Sequence, residues 1–282
     1  MKLSERKFRL FGNVMLRILF TVFSFAFSLT AVSAAEKVTL TAFNYPPYMD
    51  ESLPEKGLFC ELVYEAYKAA GYEASFTFYP LKRSTAYVAE GRELAQLGTE
   101  LNFPEESRKD IHAVPLFFYR KMGFYLKDRF KEIKFKSLRD LKGYRLGVIM
   151  GSSDSAILMN DKELQVEQVG TMEQMFKKLY AGRSDIVFAP ELSALSFIKM
   201  NYPNEADRCA VTEDVLQDLL GQVIFSKKYP EYGKYMDKFR EGLNLIRENS
   251  TYLSVFEKYY GKGRVPAEVG DINRKVYVIP KE

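Results

Sequence analysis

The sequence is poor in the side chains that most often bind zinc or haem. It contains one histidine (His112), two cysteines (Cys60 and Cys209) and no tryptophan among 282 residues. A metal site built from cysteine and histidine at any usual spacing needs more ligands than these provide. Neither a P-loop nor a GxGxxG pattern is present, so no motif indicates nucleotide binding. We therefore expect no metal and no cofactor.

An excess of positive charge is also missing from most of the chain. Lysine and arginine number 41 against 37 aspartates and glutamates. Five of the basic residues and one acidic residue lie within the first 35 residues, so the remainder carries equal numbers of both signs. Because basic patches are what attract nucleic acid to a folded domain, we predict no nucleic-acid partner.

The first 35 residues have the organisation of a secretory signal peptide. A basic segment (1–17) precedes a thirteen-residue apolar run (18–30), and small residues follow at 31–35. A membrane anchor is the alternative, but crossing about 30 Å of hydrocarbon takes about 20 apolar residues. We predict cleavage after Ala34 or Ala35, which yields an exported, soluble mature chain.

An oxidising compartment would allow the two cysteines to form a disulfide. Cys60 lies within residues 58–70, where apolar residues recur at helical spacing, which favours a buried thiol. Pairing of Cys60 with Cys209 stays an alternative, because connectivity does not follow from sequence alone.

Two series of strands and helices are predicted along the mature chain. The first has strands at 38–43, 75–79 and 94–97, with helices from residue 58 to Gly71 and at 81–90. This alternation is typical of a sheet with parallel strands.

The second series follows an apolar stretch at 117–126. It has strands at 144–150 and 185–189, and a helix that Thr171 caps and that ends near Ala181. An apolar segment at 221–225 precedes helices near 232–248 and 253–260, followed by a polar tail. The two α/β units are divided near residue 125.

Three groups of polar side chains follow predicted strands, where open α/β sheets bind ligands. In the proline-rich loop 44–48, Tyr45 and Tyr48 offer flat faces and hydroxyls, although a rigid turn with packed rings explains them equally well. The second group comprises residues 79–83, 98–100 and 107–108. It contains Arg83 and Arg108, and the planar donor fork of an arginine matches a carboxylate. The alternative for each arginine is a solvated surface position.

The third group is Ser152 and Ser153, where a predicted helix begins directly after a strand. Free backbone N–H groups and hydroxyls at a helix start can bind an anion. Simple capping of the helix by a serine is the alternative.

Together these segments resemble a periplasmic solute-binding protein. The resemblance rests on FNYPPY at 43–48, Gly57 before a helix, Gly91-Arg92 before a strand, Glu106-Ser107-Arg108, and DLKGYRLGVIMGSS at 140–153. The closest group is family 3, the polar amino-acid type that serves ABC importers, and the similarity extends over residues 36–282.

The resemblance implies an α/β fold of two lobes with a ligand cleft between them, the type II arrangement of these proteins. Lobe one would comprise 36–120 and 226–282, and lobe two 121–225. Crossing strands near 117–127 and 221–226 would join them, and ligand binding would close the lobes by a hinge motion.

The family also implies roles for individual residues. An aromatic ring, here Tyr45 or Tyr48, would pack on the ligand, and Thr99 with Arg108 would hold its α-carboxylate. Ser152 and Ser153 would add N–H groups.

Two departures from the family pattern bear on the ligand. The acid that binds the ligand's ammonium group is displaced by one residue to Glu191, and the spacing from Arg108 to Pro115 is short. A standard α-amino acid is therefore not a secure assignment.

These features predict a non-enzymatic, monomeric periplasmic receptor. It would capture a small polar ligand that bears a carboxylate and deliver it to a membrane ABC permease through transient contact. One alternative is a periplasmic enzyme similar to cyclohexadienyl dehydratases, with Glu191 or Glu100 as general acid. Another is a sensory module that reports ligand binding to a partner.

Overall fold

The computed structural model describes residues 35–271 and 275–282. The predicted signal peptide, apart from Ala35, lies outside these residues, so its cleavage site stays a prediction. The strands are β1 (Glu36–Ala42), β2 (Tyr72–Phe78), β3 (Ala95–Gly98), β4 (Ile111–Leu126), β5 (Arg145–Ile149), β6 (Gln165–Val169), β7 (Ile186–Pro190) and β8 (Cys209–Ser226).

The helices alternate with these strands and then follow them at the C-terminal end. They are α1 (Leu58–Ala69), α2 (Leu81–Glu90), α3 (Ser153–Met159), α4 (Met172–Tyr180), α5 (Glu191–Asn201), α6 (Tyr232–Glu248), α7 (Thr251–Tyr260) and α8 (Ala267–Gly270). Within the described part of the chain, no helix is both long enough and apolar enough to cross a membrane.

The eight strands of the described residues form one curled sheet in the order β2-β1-β3-β8-β4-β7-β5-β6. On one flank β1 pairs in parallel with β2 and β3, and on the other β5 pairs in parallel with β6 and β7. The antiparallel pair β4 and β8 lies between the flanks. We call the β1–β3 side the first lobe and the β5–β7 side the second lobe. This architecture confirms the predicted α/β fold class.

The two central strands run through both lobes. Their pairing extends from Ile111 opposite Ser226 to Leu126 opposite Cys209. The register shifts after Pro115 and on both sides of Met122. Such irregularities bend strands, so they lie where a sheet must turn from one lobe into the other.

Helices α1, α6 and α7 cover the first lobe with one large apolar core. Fully buried rings such as Tyr67, Phe239 and Phe256 belong to it. Helix α6 packs so closely on α1 that a Cβ atom at Gly242 would lie 1.7 Å from the Ala66 carbonyl oxygen. Any larger residue at this position would force the two helices apart.

The second lobe contains two smaller apolar clusters, one on each side of its strands. Phe135, Leu141 and Phe188 belong to one, and Phe176 and Leu179 of α4 belong to the other. As predicted, the Thr171 hydroxyl caps α4 by accepting a hydrogen bond from Gln174 N at 3.2 Å.

The last residues of the chain pack on the second lobe. Ile279 N donates to Leu216 O at 2.9 Å, Asp218 N donates to Tyr277 O at 2.8 Å, and Leu138 N donates to Pro280 O at 2.9 Å. Ile279 is buried in the cluster of Phe135. The division into lobe one (36–120 and 226–282) and lobe two (121–225) stays a prediction.

Candidate functional site

A cleft of about 610 Å³ lies beside the central strand pair and is lined by both lobes. Mainly aromatic side chains line it from the first lobe and β4: Phe43, Tyr45, Tyr48, Phe59, Phe117 and Tyr119. Smaller and more polar residues line it from the second lobe and the adjoining part of β4: Lys121, Gly151, Ser152, Ser153 and Ala156. The volume is within the range of sites that enclose small organic molecules.

The start of α1 fixes loop 44–48, which carries Tyr45 and Tyr48 and which we call the tyrosine loop. Leu58 N donates to Pro47 O at 3.1 Å and Phe59 N donates to Tyr48 O at 2.8 Å, which uses amide groups that a helix start leaves unpaired. Gly57 has a φ of +94°, and a Cβ atom there would lie 2.6 Å from Tyr48 O. Glycine is therefore required where the loop meets the helix.

Tyr48 lies at the centre of a group of rings. Its ring centroid is 5.7 Å from that of Tyr45, 5.1 Å from Tyr119 and 6.0 Å from Phe117. Burial is the main reason that the pKa values of the Tyr45, Tyr48 and Tyr119 hydroxyls are raised above 10. These hydroxyls are therefore neutral at physiological pH and act as donors or acceptors without charge.

The hydroxyls of Ser152 and Ser153 in the second lobe donate hydrogen bonds to other groups of the protein. Ser152 Oγ donates to Ile149 O at 2.6 Å and accepts from Ser155 N at 3.3 Å, so it also caps α3. Ser153 Oγ donates to Gln217 Oε1 at 2.7 Å. Each hydroxyl keeps lone pairs, so both side chains offer acceptors rather than donors.

Lys121 and Asp154 form a buried ion pair beside these serines. Lys121 on β4 is 4% exposed and lines the cleft, and its ammonium group contacts the carboxylate of Asp154, which is 1% exposed. After burial and Tyr119, Asp154 is a further cause of the raised Tyr45 pKa, which indicates that this second-lobe carboxylate lies near the first-lobe tyrosine. Our sequence reasoning missed this pair. The available signal was a lysine, next to Arg120, within the mainly apolar stretch 117–126 of a crossing strand.

Five of the eight predicted ligand-binding residues line the cleft. They are Tyr45, Tyr48, Thr99, Ser152 and Ser153. Thr99 is half-buried, and its hydroxyl accepts from Leu101 N at 3.4 Å.

The other three predicted residues do not line the cleft. Arg83 is exposed on α2, and Arg108 is exposed with its Nε donating to Phe103 O at 3.2 Å. Glu191 accepts from Arg120 Nη2 at 2.8 Å and from Nε at 3.2 Å. Their assignment to the ligand stays a prediction.

The first turn of α5 connects the second lobe directly to the first. Ser193 Oγ donates to the carbonyl oxygen of Pro46 in the tyrosine loop at 2.8 Å. The neighbouring Leu192 is buried in the core cluster of the first lobe. The structure therefore holds the two walls of the cleft together on this side.

Neither metal nor thiol chemistry is apparent near the cleft. Among the described residues, no group of histidine, cysteine, aspartate or glutamate is arranged to hold a metal ion. Both cysteines are free thiols. Burial raises the pKa of the Cys60 thiol strongly and that of Cys209 to about 12, so neither is a reactive thiolate at neutral pH.

No model of a known protein family matches the sequence, and no curated protein matches it either. Solved structures do match. The GluR0 ligand-binding core from Nostoc punctiforme, in complex with L-glutamate, is 17% identical with a TM-score of 0.57, covering 79% of this chain and 99% of that one. A substrate-binding domain assigned to an amino acid ABC transporter of Streptococcus pneumoniae is 15% identical with a TM-score of 0.61, covering 79% and 99%.

A third match comes from a signalling protein. The sensor domain of a histidine kinase, with similarity to periplasmic binding proteins, is 16% identical with a TM-score of 0.59, covering 81% of this chain and 97% of that one. The three proteins differ in role but share one architecture, and each is covered almost completely. The chain therefore has the two-lobed fold of the periplasmic binding proteins, with its cleft between the lobes.

Proposed function

We propose that the mature chain is an exported solute-binding receptor that captures a small amino-acid-like ligand between its lobes. The observation that carries the proposal is the 610 Å³ cleft, which receives side chains from both lobes beside the two crossing strands. A site divided in this way changes shape when the lobes move, so ligand and lobe closure favour each other.

The binding residues of this proposal are the five predicted residues that line the cleft, together with Lys121, whose charge Asp154 neutralises. Tyr45 and Tyr48 provide flat surfaces for the ligand, and Thr99, Ser152 and Ser153 provide hydrogen-bonding groups. Arg108, Arg83 and Glu191 lie outside the lining, so their assignment to the ligand stays a prediction that this site does not use.

Export and delivery are further parts of the proposal. The basic, apolar and small-residue segments of residues 1–35 support secretion to the periplasm with removal of the signal peptide. The similarity to a transporter's substrate-binding domain supports transient docking to a membrane ABC permease. We propose that the receptor works as a monomer, without metal or cofactor.

The similarity to a kinase sensor domain favours ligand sensing as a second candidate. A sensor and a transport receptor bind ligand by the same closure and differ in their partner. Uptake of labelled ligand by cells with and without the gene separates the two roles, because only a transport receptor is required for uptake.

The test of binding is calorimetric titration of the periplasmic protein with the twenty amino acids, paired with small-angle scattering. We expect a saturable signal for at least one amino acid and a smaller radius of gyration at saturation. Absence of any binding, together with an unchanged radius, would contradict the receptor. Turnover of prephenate or arogenate would instead establish the enzyme alternative.

A further inference from the structure

The described residues line the cleft with one charged group, whose charge is neutralised by a buried partner behind it. Among its described lining residues, Lys121 is the one charged side chain. The carboxylate of Asp154 neutralises it directly, and both groups are almost completely buried. A ligand that enters this cleft therefore meets one ammonium group, Lys121, whose charge is already neutralised by the carboxylate of Asp154 behind it.

The other charged groups considered for the ligand are engaged elsewhere or exposed. Arg120 forms a bidentate ion pair with Glu191, and its Nη2 atom lies 2.8 Å from a carboxylate oxygen of Glu191. Arg83 and Arg108 are exposed and do not line the cleft. A charged side chain on the ligand would thus be buried without a dedicated partner, which is strongly unfavourable.

The geometry around the pair suits a head group that bears both charges. An ammonium group has three N–H donors, so Lys121 retains donors for a ligand carboxylate while it contacts Asp154. The Ser152 and Ser153 hydroxyls give their protons to Ile149 O and Gln217 Oε1, so their lone pairs are offered to a ligand ammonium. Carboxylate and ammonium of one ligand leave the cleft neutral.

The opposite wall suits a flat or apolar side chain. The rings of Tyr45, Tyr48 and Tyr119 lie within 6.4 Å of one another, and Phe117 continues this surface. Aromatic walls bind apolar groups by burial and rings by offset stacking.

We propose that the ligand is a zwitterion without net charge whose side chain is flat or apolar. Lys121, neutralised by Asp154, binds its carboxylate, and Ser152 and Ser153 accept hydrogen bonds from its ammonium group. The proposal rests on the proposed receptor function and narrows its ligand. It sets this chain apart from the GluR0 core, which was solved with L-glutamate.

The first experiment titrates the protein with L-phenylalanine, L-glutamate and L-arginine by calorimetry. We expect L-phenylalanine to bind at least 10-fold more tightly than either charged amino acid. Tighter binding of L-glutamate or L-arginine would overturn the inference and leave the receptor function intact. Binding of none of the twenty amino acids would overturn both.

The second experiment tests the pair itself. Single substitutions leave a lone buried charge and can unfold the protein, whereas removing both charges together is often tolerated. We therefore combine Lys121→Met with Asp154→Asn. We expect this double variant to remain folded in thermal unfolding and to bind L-phenylalanine at least 10-fold more weakly.

A purely structural pair would behave differently. The folded double variant would then bind L-phenylalanine as tightly as the wild type, and that result would overturn the role of Lys121 and Asp154. Should the double variant not fold, Lys121→Arg keeps the charge and the partner but enlarges the group facing the cleft. We expect it to weaken binding of L-phenylalanine at least 10-fold, and wild-type affinity would contradict the proposal.

Discussion

The two lobes are stabilised in different ways. The first lobe buries many rings around α1, α6 and α7, and among the described residues its one buried carboxylate is Glu61. The second lobe also buries rings, but it adds five buried aspartates: Asp154, Asp161, Asp185, Asp214 and Asp218. Three of them form ion pairs: Asp154 with Lys121, Asp185 with Arg129 and Arg145, and Asp214 with Lys136.

This difference has a physical consequence for stability. Burial of apolar surface does not depend on pH, whereas an ion pair is lost when its carboxylate takes up a proton. We therefore expect substitutions in the first lobe to have the same effect at all pH values. Removal of a paired aspartate from the second lobe should matter less as the pH falls.

The largest expected effect belongs to the first lobe. Tyr48→Ala removes a ring that is 1% exposed and packs on three others, so we expect the free energy of unfolding to fall by about 3 to 5 kcal/mol. Urea unfolding at pH 7 and pH 4 should give the same loss. Tyr48→Phe is the control, because it keeps the ring and should cost less than about 1 kcal/mol. A loss below 1 kcal/mol for alanine would mean that the ring is not part of the core.

The second prediction concerns Asp185 in the second lobe. Burial alone would raise the pKa of this carboxyl, but hydrogen bonds from Arg145 and Arg129 outweigh it and lower the pKa to about 2. A lowered folded-state pKa stabilises the protein above the unfolded value of 3.8, and this stability is lost as the pH falls towards 2. Relative to the wild type, Asp185→Asn should lose about 2 kcal/mol at pH 7.

Urea unfolding from pH 7 to pH 2.5 measures this difference. The gap between wild type and Asp185→Asn should be constant above about pH 5 and shrink below it. The exposed Asp207 in the same lobe is the matched control, and Asp207→Asn should cost less than about 0.5 kcal/mol throughout. A gap that does not change with pH would contradict the contrast between the lobes.

Much of the fold could be predicted from local patterns. The periodicity of residues 58–70 and 81–90 predicted α1 and α2, and the predicted helix at 232–248 matches α6. Other elements were missed. β6 (Gln165–Val169) alternates between polar and apolar residues only weakly. Helix α5 follows β7 directly, and Pro190 at its N-cap position provides no side-chain cap that the sequence could reveal.

The candidate site could be predicted only where a motif marks a turn. Loop 44–48 and the helix start at Ser152 and Ser153 stand out in the sequence, and residues of both line the cleft. Lys121 and Asp154 are 33 residues apart and meet only through the pairing of β4 with the second lobe. The same limitation applies to Arg108, because local sequence does not show whether an arginine turns towards the cleft or towards Phe103 O.

The third prediction addresses the contact that joins the lobes. Ser193→Ala removes the hydrogen bond to Pro46 O, which is worth about 1 kcal/mol and leaves a carbonyl unpaired. If the closed form is the binding form, the dissociation constant of the best amino acid should rise about 5-fold to 10-fold. Calorimetric titration measures this change. Ser254→Ala, which removes an exposed hydroxyl that donates to Ser250 O at the start of α7, should have no effect. Equal affinity for both variants would show that binding does not need the Ser193 contact.

The smallest expected effect belongs to Arg108, for which sequence and structure give different expectations. An arginine that holds the ligand's carboxylate would make Arg108→Ala weaken binding by about 10-fold to 1000-fold. In the structure the side chain is exposed and donates to Phe103 O. We therefore expect Arg108→Ala to change the binding free energy by less than about 1 kcal/mol and to alter mainly how affinity depends on salt. Titration of Arg108→Ala and Arg108→Lys with one amino acid at low and high salt distinguishes these cases. A 100-fold loss for alanine that lysine restores only in part would return Arg108 to the site. That result would also show that ligand binding turns this side chain towards the cleft, because a carboxylate needs the planar fork within hydrogen-bonding distance.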